Sequence, residues 1–125
     1  MDSKNEYYDD YSKYLEGISF KAKVYRKLFY FPKLYKFMKG KKLEIGCGTG
    51  AFLENYNDVL GIDINPELIK LCNKKNLNAF VMEEDKIPYD DKLFDSVLID
   101  NVLEHIKDPL PLLKEVKRVS SLKSN

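Results

Sequence analysis

The stretch from Leu43 to Gly50, LEIGCGTG, leaves this chain few folds to choose from. Its first residues have strand character, and glycines follow at positions 46, 48 and 50. Without a Cβ, glycine opens positive φ to the backbone and lets another group approach the main chain closely. A buried strand that enters such a turn and leaves it as a helix begins a βαβ unit. With the helix expected to start near Thr49, its N–H groups and the positive end of its dipole would face whatever lies above the strand end. The stretch predicts an anion site at the carboxyl end of a strand.

The rest of the chain extends that pattern. DVLGID at 58–63 predicts a second strand ending on a carboxylate. Asn65 suits an N-cap, Pro66 the first helical position, Glu67 the dipole and Lys74 and Lys75 the last turn, so a helix is expected from 66 to about 75. Leu77 to Met82 reads as a third strand, residues 83–94 as an acidic loop, and Ser96 to Asp100 as a fourth strand. Asp108 and Pro109 open a final helix with apolar Leu112, Leu113, Val116 and Val119. Short apolar strands alternating with helices predict a parallel α/β sheet buried on both faces. Ligands of such sheets bind beyond the carboxyl ends of the strands, where strand order reverses. The glycine loop, Asp63, Glu83 with Glu84, and Asp100 with Asn101 all fall there.

Ahead of the first strand, Val24, Leu28, Phe31, Tyr35 and Met38 recur at helical spacing, and Pro32 is expected to break or kink the segment into two helices, the second closed by Gly40. Residues 17–42 hold nine Lys or Arg and no acid, while 83–95 hold six acids and two lysines. The basic, aromatic segment suits a nucleic-acid or membrane surface, or an amphipathic helical cover with solvated lysines. The cover is the expectation, with no nucleic-acid and no membrane partner. An acidic N-terminus without an apolar core excludes a secretory signal, and no apolar run approaches a membrane span, so a cytoplasmic location is expected. Cys47 and Cys72 have neither metal-ligand nor disulfide-framework spacing, and no metal is expected.

Taken together, LEIGCGTG, GIDIN at 61–65, EEDKIPYDDKLFD at 83–95 and VLIDNVLEHIKDP at 97–109 resemble the class I S-adenosylmethionine-dependent methyltransferases of the type 11-like group. The resemblance implies part of a doubly wound, Rossmann-like sheet of about four parallel strands with flanking helices. Residues 1–40 would be an N-terminal helical cover and 41–125 the cofactor-binding half of the domain. The implied cofactor is S-adenosylmethionine. The loop of Gly46, Cys47, Gly48 and Gly50 would pass beneath its methionine end, with its amides on the carboxylate and Glu44 ordering the loop. Asp63 would accept from both ribose hydroxyls, with Ile64 beside it. Glu83, where the family usually has Asp, would read the adenine amino group next to the Glu84 backbone. Asp100 and Asn101 would line the cofactor or acceptor pocket, or only cap the next turn. Tyr7, Tyr8, Tyr11 and Tyr14 would cover the site.

Methyl transfer asks the protein chiefly for alignment. An oxygen acceptor also needs a base, and His105, the single histidine, is the candidate; packing or capping is the competing role. No NPPY-type tetrapeptide follows the fourth strand, which disfavours amino methylation of DNA bases, and a small-molecule or saccharide acceptor is expected. The family continues after EVKRV with three more strands, so the resemblance implies a C-terminally truncated domain. Val97, Leu98 and Ile99 would then lie on an edge where a homodimer or a partner chain could pair. Two alternatives stay open: a non-catalytic remnant that binds the cofactor, and an NAD-type dinucleotide module, since Gly46, Gly48 and Ala51 also satisfy G-x-G-x-x-A.

Overall fold

The computed structural model describes residues 20–99 and 106–121. Four parallel strands form one sheet in the order β3-β2-β1-β4: β1 Lys42–Ile45, β2 Val59–Asp63, β3 Ala79–Val81 and β4 Ser96–Ile99. Leu43 lies opposite Leu60 on one side and Val97 on the other, so β1 is the central strand. The chain steps outward from β1 through β2 to β3 and then returns to the far side of β1 for β4. The reversal between β1 and β4 makes the crevice above their carboxyl ends the expected ligand position.

Burial on both faces follows from strand alternation. Val59 belongs to a core with Phe31, Cys47, Phe52, Leu53, Ile69, Cys72 and Ala79. Leu43, Ile45 and Ile62 point the other way, to Met82, Ile87, Phe94, Leu112 and Val119. Gly61 allows the first core to close on β2: a Cβ there would lie 2.5 Å from Leu53 Cδ1 and 2.9 Å from Cys47 Cβ.

The N-terminal helical path departs from expectation. It comprises α1 Phe20–Tyr25, a π-helical turn Arg26–Tyr30 and α2 Phe31–Lys36. Pro32 does not break it. Proline has no N–H, and its ring crowds the carbonyl four residues back; the helix widens just before it, where the Phe31 N–H donates to Arg26 O, five residues back. A π turn carries extra residues per turn, so the predicted apolar stripe is split. Phe31 is buried and Tyr35 and Met38 pack on the core, whereas Val24 and Leu28 face outward. The expected cover is a cover only in its second half.

The remaining elements follow the predicted order with shorter bounds: α3 Ala51–Asn55, α4 Pro66–Lys74 and α5 Leu110–Val119. Asn65 caps α4 as expected, its Oδ1 accepting from Glu67 N at 3.0 Å and Leu68 N at 3.4 Å. After α5 the chain returns beside the foot of β4, where Ser120 bridges Phe94 in parallel and Ser121 N donates to Phe94 O at 2.7 Å. The pairing stops at Phe94, just ahead of β4, and Val97, Leu98 and Ile99 are half-buried. No helix among the described residues is long and apolar enough to cross a membrane.

Candidate functional site

The carboxyl ends of β1 and β2 are joined through the glycine loop. Gly46 N and Cys47 N both donate to Ile62 O, at 2.8 and 3.1 Å, and Gly50 N donates to Cys47 O at 3.0 Å. Gly48 N donates to Asp63 Oδ2 at 3.0 Å. Such tight folding requires positive φ at Gly46 (81°), Gly48 (59°) and Gly50 (87°). It also narrows the expected anion cradle. Of the five loop amides from 46 to 50, four are donated within the chain, and Thr49 N alone has no acceptor among the described residues. The helix begins at Ala51, within two residues of Thr49, and runs only five residues, which leaves a weak dipole.

Asp63 is the centre of this arrangement. It ends β2 with its side chain almost wholly buried, at 6 % exposure. Oδ2 accepts from Gly48 and Oδ1 from Asn65 N at 2.9 Å. Asn65 therefore orients the carboxylate with its backbone and starts α4 with its side chain. Burial pushes the Asp63 carboxyl above its ordinary range, opposed by the amides of Asn65, Gly48 and Ile64. The carboxylate keeps acceptor capacity beyond its amide bonds, which suits it to further donors.

A small cavity of about 20 Å³ opens at this end of the sheet, lined by Gly46, Asp63, Ile64, Met82 and Glu84 among others. Glu84, not Glu83, reaches it. Glu83 lies instead on a wider groove of about 700 Å³ with Lys86, Lys114 and Arg118. Glu44 is buried in β1 beneath the loop. Asp100, Asn101 and His105, like Tyr7, Tyr8, Tyr11 and Tyr14, lie outside the described residues. No group of three or more His, Cys, Asp or Glu suited to a metal occurs among the described residues.

Cys47 and Cys72 are buried and not joined by a disulfide. Contact with the Cys72 thiol and burial push the Cys47 thiol up, so it stays protonated. Cys72 Sγ donates to Gly48 O at 3.3 Å, tying α4 to the loop.

Sequence reasoning missed the group that shapes the acidic loop. Arg118, on α5, donates to Tyr89 O and Ile87 O, each at 2.8 Å, and pairs with Asp91 at 2.7 Å and Glu115 at 2.6 Å. Glu115 Oε1 accepts from Ile87 N at 2.9 Å. The i,i+3 spacing of Glu115 and Arg118 was the available signal, but only the apolar face of that helix entered the reading.

Comparison with known proteins agrees with this geometry. The model of a family described as a methyltransferase domain matches residues 43–123. An uncharacterized protein of Methanocaldococcus jannaschii is 31% identical over 121 residues, which cover 95% of this chain and 56% of that protein. A crystal structure of an S-adenosylmethionine-dependent methyltransferase from Thermotoga maritima superposes with a TM-score of 0.73 at 20% identity, covering 93% of this chain and 54% of the other, and supports the fold. One from Aquifex aeolicus gives 0.68 at 27% identity over 89% of this chain and 66% of the other. The chain thus spans about half the length of the first two proteins it matches. With the glycine loop, the 3-2-1-4 parallel order and the family match in agreement, the chain belongs to the methyltransferase-domain family and has the class I fold.

Proposed function

We propose that this chain binds S-adenosylmethionine above the carboxyl ends of β1 and β2 and serves a methyltransferase as its cofactor-holding half. The observation that carries the reading is the buried Asp63 carboxylate, held by the Gly48 and Asn65 amides with acceptor capacity left beyond them. Keeping a carboxylate buried at a strand end costs free energy; two donated ribose hydroxyls would use what remains of it. Glu84 borders the same cavity from the β3 side, on the path an adenine would take from Asp63. Thr49 N is the loop amide left for the methionine carboxylate.

When bound, S-adenosylmethionine supplies an electrophilic methyl group on a sulfonium. The chain's own residues bind and orient: the loop supports the amino-acid end, Asp63 fixes the ribose, and Ile64 and Met82 give apolar surface beside it. Calorimetric titration tests this. S-adenosylmethionine and S-adenosylhomocysteine are expected to bind saturably with one site and NAD to give no heat. NAD binding in their place would replace the proposal with the dinucleotide reading. Transfer of a labelled methyl group to an added acceptor separates an active half from a chain that only holds the cofactor.

A further inference from the structure

The outward face of the N-terminal helix has chemistry that a cover does not need. Tyr25, Leu28 and Phe29 are 61 %, 59 % and 63 % exposed. Val24, Tyr25, Leu28 and Phe29 are all exposed and form one stripe with Lys21, a turn before Tyr25, with Lys27 at its margin. The Tyr25 and Phe29 rings lie 5.5 Å apart, tilted by 35°. No acid occurs between Gly17 and Lys42.

Its position follows from packing. Phe31 meets Phe52 edge-on at 5.2 Å, and Tyr35 stacks on Tyr56 at 4.0 Å. Both pairs are offset by 21 residues, so the N-terminal helix runs parallel to α3 and Phe29 is level with Gly50. Val24 and Tyr25 precede Phe31 on that path and so lie further toward the carboxyl side of the sheet. The stripe is a ledge on the side of the sheet that carries the candidate cofactor site.

We propose that this ledge docks a single-stranded nucleic acid, with bases against Tyr25 and Phe29 and phosphates on Lys21 and Lys27. Aromatic faces interleaved with cations and free of acids match bases alternating with phosphates. A lipid surface fits less well, because Lys21 lies within the apolar stripe and the stripe is only about two turns long. The expectation of no nucleic-acid partner rested on reading this segment as an ordinary amphipathic cover with solvated lysines; Val24 and Leu28 face outward instead. The proposal rests on the cofactor reading only for what the docked strand would adjoin.

Fluorescence anisotropy of the full chain with a short fluorescein-labelled single-stranded RNA, and with the matching DNA, tests it. Saturable binding is expected, with a log K against log salt slope of about −1.4 for two neutralised phosphates. Tyr25→Ala and Phe29→Ala should each weaken it about fivefold or more, and Lys21→Glu with Lys27→Glu should abolish it. All four positions are at the surface, so folding, read by circular dichroism, should not change. S-adenosylhomocysteine affinity should be the same in every variant. Oligonucleotide binding without S-adenosylhomocysteine binding would sink the cofactor reading and leave the ledge standing. The ledge falls if S-adenosylhomocysteine binds and the oligonucleotide does not, or if the substitutions leave oligonucleotide binding unchanged. It falls equally if the same substitutions act only on phosphatidylserine-vesicle binding or on self-association.

Discussion

Replacing Asp63 by Ala removes the carboxylate that receives Gly48 N at 3.0 Å and Asn65 N at 2.9 Å. The carboxylate has acceptor capacity left beyond its amide bonds, which the two ribose hydroxyls would take up. Hydrogen bonds to a charged acceptor contribute about 1.5–3 kcal/mol each. Taking the lower figure for both, because a hydroxyl can fall back on water, gives about 3 kcal/mol, roughly a hundredfold in Kd. Calorimetry with S-adenosylhomocysteine reads that loss directly. Loss of affinity alone is ambiguous, since the variant also releases the Gly48 and Asn65 amides and loosens the loop. A double-mutant cycle removes the ambiguity: wild type and Asp63→Ala are each titrated with S-adenosylhomocysteine and its 2′-deoxyribose analogue. If the carboxylate holds that hydroxyl, the deoxy analogue binds more weakly to wild type and suffers no further from the hydroxyl's absence in the variant. Strictly additive losses, or an Asp63→Ala affinity within threefold of wild type, would refute the assignment.

Three other perturbations test separate links of the same chain of reasoning. Because burial raises the folded Asp63 pKa above its ordinary 3.8, its contribution to stability is present below 3.8 and is lost as pH rises through the folded value; cofactor affinity should move the other way, falling as pH drops through that value. A thermal-unfolding difference between wild type and Asp63→Asn that does not vary with pH would contradict this. Gly61→Ala should cost about 1–3 kcal/mol by overpacking, since its Cβ would lie 2.5 Å from Leu53 Cδ1, and an unchanged urea midpoint would mean the first core has slack. Arg118→Met should lower Tm and speed amide exchange in residues 86–91, which lose their tie to α5; exchange confined to the α5 terminus would show that the loop holds itself.

The parts of this fold readable from sequence are those where one residue type has one physical use. Asn65, Pro66 and Glu67 together specify a helix start, and α4 begins there. Gly46, Gly48 and Gly50 specify a backbone of positive φ, and all three have it. What those glycines do with their amides was not readable, because a donor's partner depends on what the fold brings near. Ile62 O and Asp63 reach the loop only after β2 pairs with β1. The clamp at Arg118 was hidden for the same reason, since its acceptors at Ile87 and Tyr89 are some 30 positions away in sequence.

The N-terminal helix failed differently. Its apolar spacing was read correctly as helical, and Pro32 correctly as a disturbance. The error was to expect a helix either to keep its period or to break. A π turn is the third outcome: Phe31 N bonds to Arg26 O and the chain continues, but the face before the turn no longer continues the face after it. One misplaced turn changes what the segment can do. With a uniform period, Val24 and Leu28 would lie with Phe31 against the core, and the basic segment would be a solvated back. With the π turn they join Tyr25 and Phe29 on the outside. The local accommodation of a single proline thereby turns an aromatic, cationic surface outward, and the proposed docking there rises or falls with that turn.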